Sequence, residues 1–189
     1  LYGNKVLLNS TTDSEYSTSD IDKYLSANAA ESNSYRSVLP ENIRKCLVKT
    51  TVNSYSYNSN AMLYLSKDIF LMSFTELGFF EDGSSSEKAQ ASNITDEGHS
   101  YYNILKIATG YTNYKARIAR LFSTNNGDNW WTRSPVDATH VFSILNNNPY
   151  TLQGAPNNEN NPKYVRPILS FDPATLVDTT TTIPTIVGK

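Results

Sequence analysis

A single cysteine, Cys46, stands in 189 residues. One thiol cannot close an internal disulfide, form a CxxC redox pair or supply a cysteine-rich zinc site. Its helical spacing from Ile43 reads as apolar, so Cys46 is expected in the core and unreactive. Charge is also scarce. Only 18% of residues are charged and the net charge is −2, which leaves no basic excess to hold a phosphate backbone. Nucleic acid is therefore not an expected partner. Long apolar runs are missing too: the best stretches, residues 69–73 and 183–187, are about a quarter of the ~20 residues a helical span needs, and no membrane insertion is expected. His99 and His140 are the only histidines, and no acidic cluster adjoins either, which argues against a zinc site or facial triad. The glycine-rich dinucleotide and phosphate loops, HExxH, GxSxG and the EF-hand pattern do not occur. No catalytic residue, metal or cofactor is expected.

What the chain has in abundance is neutral polarity: 62 of 189 residues are Asn, Ser or Thr, beside 13 Tyr, so its surface is built from amides, hydroxyls and phenols. The length suits one domain, expected over residues 1–172, with 173–189 as a linker or tail toward a further domain. Ser19 before Asp20-Ile21-Asp22-Lys23-Tyr24-Leu25 predicts an N-capped amphipathic helix over 20–25. Pro40 opens a second, over 40–46, with Leu39, Ile43, Cys46 and Leu47 inward. Val48, Thr50 and Val52 alternate as a strand, followed by a Ser/Tyr/Asn connector over 54–60. Residues 68–73, DIFLMS, form a continuous apolar run that suits a central strand covered on both faces, with 69–72 as its core. The Gly/Ser/Glu/Asp-rich stretch 81–97 reads as a long surface loop. Residues 114–122 form a short apolar element of open type. In the final third, 130–133, 141–145 and 164–169 alternate as strands between Asn/Gly/Pro-rich turns. Short helices first and antiparallel strands last predict an α+β fold.

The pair Trp130-Trp131-Thr132-Arg133-Ser134-Pro135 and Tyr164-Val165-Arg166-Pro167-Ile168-Leu169 resembles the WWLRSP and GVRPAL motifs of a widespread bacterial and phage domain family of unknown function. Residues 16–25 are similar to that family's NIRQWLN helix, 42–52 to its TTLTV segment, and DIFLMSFTELG, residues 68–78, to its KVFLLSxTEVG segment. The motifs occur in the family's order and cover most of residues 16–172. In its closing strands the family resembles the C-type-lectin-like folds of sulfatase-modifying factors and of variable proteins diversified by retroelements. The resemblance implies two helices flanking small twisted antiparallel sheets, with a loop-rich half that presents a binding surface. The oxidase chemistry of formylglycine-generating relatives needs paired cysteines, which Cys46 alone does not provide. The Glu-Pro-Asn and Trp-Asn-Asp motifs of calcium-dependent lectins are absent.

Trp130, Trp131, Arg133 and Arg166 are expected to form a structural frame, because a guanidinium's five donors can tie carbonyls or a carboxylate together. Strand alternation separates Trp130 from Trp131, so at most one indole is expected fully inside. Ligand contacts are expected from Asp137, Thr139, His140, Asn146, Asn147, Tyr150, Asn157 and Asn158, whose amides and phenols are adaptable hydrogen-bonding groups. The resulting expectation is a non-enzymatic recognition or adhesion domain of a phage virion, tail or capsid-associated. It would sit at the virion surface or outside the cell and bind a bacterial surface glycan or protein. Other virion subunits, or further copies of the chain, are the expected structural partners. Two alternatives stay open: a decoration domain making subunit contacts only, and a cell-surface polysaccharide hydrolase, which requires two carboxylates ~5 to 9.5 Å apart.

Overall fold

The computed structural model describes residues 6–31, 34–77, 92–98, 129–145, 151–154, 162–178 and 185–188. Helix α1, Asp20–Ser26, starts where Ser19 Oγ accepts the Asp22 N–H at 3.1 Å. The same hydroxyl donates to Tyr16 O at 2.8 Å, so the cap also fixes the preceding 3-10 turn, Tyr16–Thr18. Ile21 and Leu25, one turn apart, bury the inner face of α1. Helix α2, Glu41–Cys46, begins one residue after Pro40 and ends on Cys46, which is buried. Among the described residues no helix is long and apolar enough to cross a membrane.

The described residues also hold nine strands: β1 Thr50–Ser56, β2 Ala61–Lys67, β3 Ile69–Leu71, β4 Asn129–Asp137, β5 His140–Leu145, β6 Thr151–Gly154, β7 Pro167–Leu169, β8 Leu176–Asp178 and β9 Thr185–Gly188. They pair antiparallel as β1-β2, β3-β7, β4-β5-β6 and β8-β9. The fold is therefore α+β, with two helices beside small antiparallel sheets. From the last part of the chain, β8 and β9 pair with each other, and β9 lies beside α2.

Several local expectations are corrected. The connector expected over 54–60 is the end of β1 plus a turn in which Asn60 takes φ 50°, and it leads into β2, which was not foreseen. Asn tolerates the left-handed region better than other residues with a β-carbon. Val48 lies outside β1, Met72 follows β3, and Val165 and Arg166 precede β7. The run 69–71 is buried throughout, yet β3 pairs only with β7 among the described strands, so a covered position does not require a central one. The stretch 81–97 is not all surface loop. Ser92–Ile94 is a 3-10 turn, and Ile94 and Glu97 are buried, 1% and 0% exposed. The element expected at 114–122 lies outside the described residues.

Two apolar clusters form the core. One gathers Tyr55, Phe74, Leu77, Ile94, Trp130, Phe142 and Ile144; the other gathers Leu8, Tyr16, Ile21, Leu25, Ile69, Leu71, Trp131 and Val141. The β4-β5 hairpin lies between them. Trp130 and its cross-strand partner Ile144 face the first cluster, while Trp131 faces the second. Both indoles are consequently inside, at 6% and 3% exposure, against the expectation of one. Alternation does put them on opposite faces, but both faces of the strand are covered.

Pro135 sits within β4, where it cannot donate to the ladder. The strand accommodates it by register irregularities on either side of Pro135. Here β4 also bonds elsewhere: Arg133 N–H donates to Met72 O at 3.2 Å, and Trp131 N–H to Tyr164 O at 3.1 Å. The WWTRSP segment is thereby joined to the 68–78 segment and to the closing segment.

Candidate functional site

The β4-β5 hairpin turns through Ala138 and Thr139, with Asp137 opposite His140. Asp137 Oδ1 accepts the Thr139 N–H at 2.7 Å and the Thr139 hydroxyl at 3.0 Å, an Asx-type closure of the turn. His140 Nδ1 lies 3.0 Å from both Asp137 carboxylate oxygens. Burial pushes the Asp137 carboxyl upward, but the bonds from Thr139 and His140 outweigh it and hold the pKa below the ordinary value. The two side chains remain roughly half exposed. The turn is fastened from behind. Ser14 Oγ donates to Asp137 O at 2.6 Å, Ser14 N–H to Ala138 O at 3.1 Å, and Tyr57 Oη to Val136 O at 2.6 Å. A polar tip thus projects from a strand pair whose base is buried on both faces. Its chemistry is that of hydrogen bonding: one carboxylate, one hydroxyl and one imidazole already ordered by each other.

Of the residues expected to contact ligand, the structure brings Asp137, Thr139 and His140 together at this tip. Asn146, Asn147, Tyr150, Asn157 and Asn158 lie outside the described residues.

Beneath the tip is a charged centre. Arg133 is fully buried and its side chain makes four hydrogen bonds: Nε to Asn53 O at 3.0 Å, Nη1 to Leu71 O and Glu76 Oε2 at 2.6 Å each, and Nη2 to Glu76 Oε1 at 2.7 Å. The guanidinium fork therefore ties β1, β3 and the turn after β3 to β4. Glu76 Oε2 additionally accepts the Ser73 N–H at 2.9 Å. Gly98 closes over this carboxylate with φ +88°; a β-carbon there would approach Glu76 Cδ to 2.9 Å, so both backbone conformation and space require glycine. Glu97, fully buried beside this pair, accepts the Tyr55 N–H at 2.8 Å and the Ser134 hydroxyl. Burial pushes the Glu97 carboxyl up to about 7, with Arg133, Ser134 and Tyr55 opposing and Glu76 reinforcing.

A second polar network, running from buried Asp22 to exposed Ser26, lies by α1. Lys67 Nζ donates to Asp22 Oδ2 at 2.6 Å and to Ser26 Oγ at 2.9 Å, and Tyr16 Oη accepts the Leu71 N–H at 3.1 Å. Burial raises the Asp22 carboxyl although Lys67 pulls the other way. The remaining frame candidates stack: Arg166 Cζ lies 3.8 Å over the Trp130 ring, and the Tyr164 ring centroid 4.9 Å from it. Lys163, fully buried, places Nζ 4.6 Å over Trp131. Among the described residues no three metal-ligating side chains converge.

The sequence reading passed over Glu76, Glu97, Asp22 and Lys163. Glu76 carried a signal, a carboxylate between Phe74 and Leu77 directly after an apolar strand, where an unpaired charge would not survive burial. Glu97 carried none, since its neighbours are loop-type residues.

The segments joined in this centre belong to a single family unit. The chain is a member of the domain family of unknown function DUF6273, whose model matches residues 3–173. No curated protein and no solved structure matches it.

Proposed function

We propose that this domain is a non-enzymatic recognition module with a C-type-lectin-like fold, carried on a phage virion as a tail or capsid-associated protein and binding a bacterial surface glycan or protein. The observation that supports it best is the contrast within the β4-β5 hairpin: strands clamped between two apolar clusters by Arg133, and an exposed tip of Asp137, Thr139 and His140 ordered in advance of any ligand. A polar surface fixed by a rigid base loses little side-chain entropy on binding. The two short helices against small antiparallel sheets support the fold reading.

The test is attachment of the isolated domain to bacterial cells and to a glycan array, with a five-site variant as the control. Asp137→Asn, which keeps an acceptor for the Thr139 N–H, is combined with alanine at His140, Asn147, Tyr150 and Asn158. Attachment is expected to disappear while the melting temperature moves little: Asp137 and His140 are roughly half exposed, and surface substitutions usually cost within ~0.5 kcal/mol each. Undiminished attachment of the variant would sink the assignment. If these residues prove covered by neighbouring subunits in an intact particle, the decoration reading replaces the recognition reading.

A further inference from the structure

The centre around Arg133 encloses two carboxylates and one guanidinium. Arg133 directs two of its N–H groups at Glu76 and two at the Asn53 and Leu71 carbonyls; none of these bonds reaches Glu97. Among the described residues, the hydrogen bonds to the Glu97 carboxyl come from neutral donors, the Tyr55 amide of β1 and the Ser134 hydroxyl of β4. The charged and titratable side chains that act on it are Arg133 from β4 and Glu76 from the turn after β3. When Glu97 is ionised, the enclosed charge is therefore −1, in a place water does not reach.

Glu97 is also one of the residues that fasten residues 92–98 to the core, with Ile94 and Asp96. Its carbonyl accepts the Ser73 hydroxyl at 2.5 Å, and the Ile94 carbonyl accepts the Thr75 hydroxyl at 2.7 Å. Asn53 Nδ2 donates to Asp96 O at 3.1 Å, and Ile94 fills the cluster beneath Trp130. Withdrawing Glu97 into water would carry with it a segment whose Ser92, Asn93, Thr95 and Asp96 are already exposed.

We propose that Glu97 is a proton-controlled latch, seating residues 92–98 on the core while its carboxyl carries a proton and loosening them when it ionises. With Glu97 ionised the Ser134 hydroxyl donates to Oε2; in the protonated acid Oε1 still accepts the Tyr55 N–H and the bond to Ser134 reverses, the acid O–H donating to Ser134 Oγ. Ser134 Oγ also accepts the Phe74 N–H at 2.9 Å, so the latch connects to β4 and to the turn after β3. The sign follows from proton binding. The seated carboxyl titrates at about 7 and a released one near its ordinary 4.5, so seating is strongest below about 4.5, weakens as pH rises between these values and is weakest above about 7.

Hydrogen exchange of the wild-type chain, followed for residues 92–98 at pH 5, 6, 7 and 8 and corrected for the intrinsic pH dependence of exchange, tests this directly. Protection is expected to fall at least tenfold from pH 5 to pH 8. Glu97→Gln, which places an acceptor toward Tyr55 and a donor toward Ser134 at every pH, is expected to hold protection constant across the range. Equal protection of the wild type at pH 5 and 8 would overturn the proposal, as would a fall that persists in Glu97→Gln. Should that variant not fold, carbon-13 titration of the wild-type Glu97 carboxyl decides: a midpoint near neutrality supports the latch, and one at or below 4.5 removes it.

Discussion

Arg133 shows how much one side chain can be asked to do. Its four hydrogen bonds join the carbonyls of β1 and β3 and both oxygens of Glu76, all away from water. A buried pair of this kind contributes little net stability compared with apolar residues of the same volume, but removing one member exposes the desolvation cost of the other. Arg133→Ala should therefore destabilise the domain by ~3 to 5 kcal/mol, measured by urea denaturation. Arg133→Lys should recover only part of that loss, since an ammonium cannot span two carbonyls and two carboxylate oxygens at once. A cost below ~1 kcal/mol for the alanine variant would mean that water enters and solvates Glu76. Arg166 works by another route: it stacks its guanidinium on the Trp130 indole from a position just before Pro167. The two guanidinium groups thus meet different surroundings: Arg133 grips a carboxylate and two carbonyls, and Arg166 covers an aromatic ring.

Among the elements, α1 has seven residues, too few to be stable alone in water. Its stability comes from the cap and from the apolar face that Ile21 and Leu25 set against Ile69, Leu71 and Trp131. Ser19 is fully buried and bonds in both directions, accepting from Asp22 and donating to Tyr16. Ser19→Ala would remove both side-chain bonds and leave the Asp22 N–H without its cap, while Tyr16 O keeps the Ser19 N–H, so a loss of ~1 to 2 kcal/mol is expected. Thermal unfolding of the variant checks it; a shift indistinguishable from zero would show that another group takes over the cap. The β4-β5 hairpin depends even less on local preference. Its register breaks around Pro135, and the contacts that hold it there come from Met72, Tyr57 and Ser14, far away in the chain.

At the scale of the whole molecule, the buried carboxylates give stability a pH dependence of unusual sign. Burial raises both Glu97 and Asp22 above their ordinary values. A raised carboxyl keeps its proton in the folded protein and loses it on unfolding, so the stability it confers is full at low pH and declines as pH rises through the folded value. Asp20 and Asp137 are depressed and act in the opposite sense, but only as pH falls below their ordinary 3.8. Between pH 5 and 8 Glu97, pushed up to about 7, governs. The unfolding free energy should fall across that range by an amount on the order of 1 to 3 kcal/mol. Urea denaturation at constant ionic strength measures it, and a rise in stability over the same range would refute it.

The sequence by itself determined what depends on neighbours along the chain. Capping and i, i+3, i+4 spacing located α1 and α2 to within a residue, and alternation located β5 and four of the nine residues of β4. A lone cysteine at helical spacing from Ile43 was legible as a buried thiol, and the WWTRSP and YVRPIL segments were legible as a family signature. What alternation could not report is whether one face of a strand or both would be covered. That depends on segments distant in sequence, and it is why Trp130 and Trp131 both lie inside. Composition likewise could not place Glu97 in the core, because a carboxylate enters an apolar interior only where a partner from elsewhere admits it. The Tyr55 N–H and the Ser134 hydroxyl, brought to Glu97 by the meeting of β1 and β4, are those partners, and only the tertiary structure assembles them.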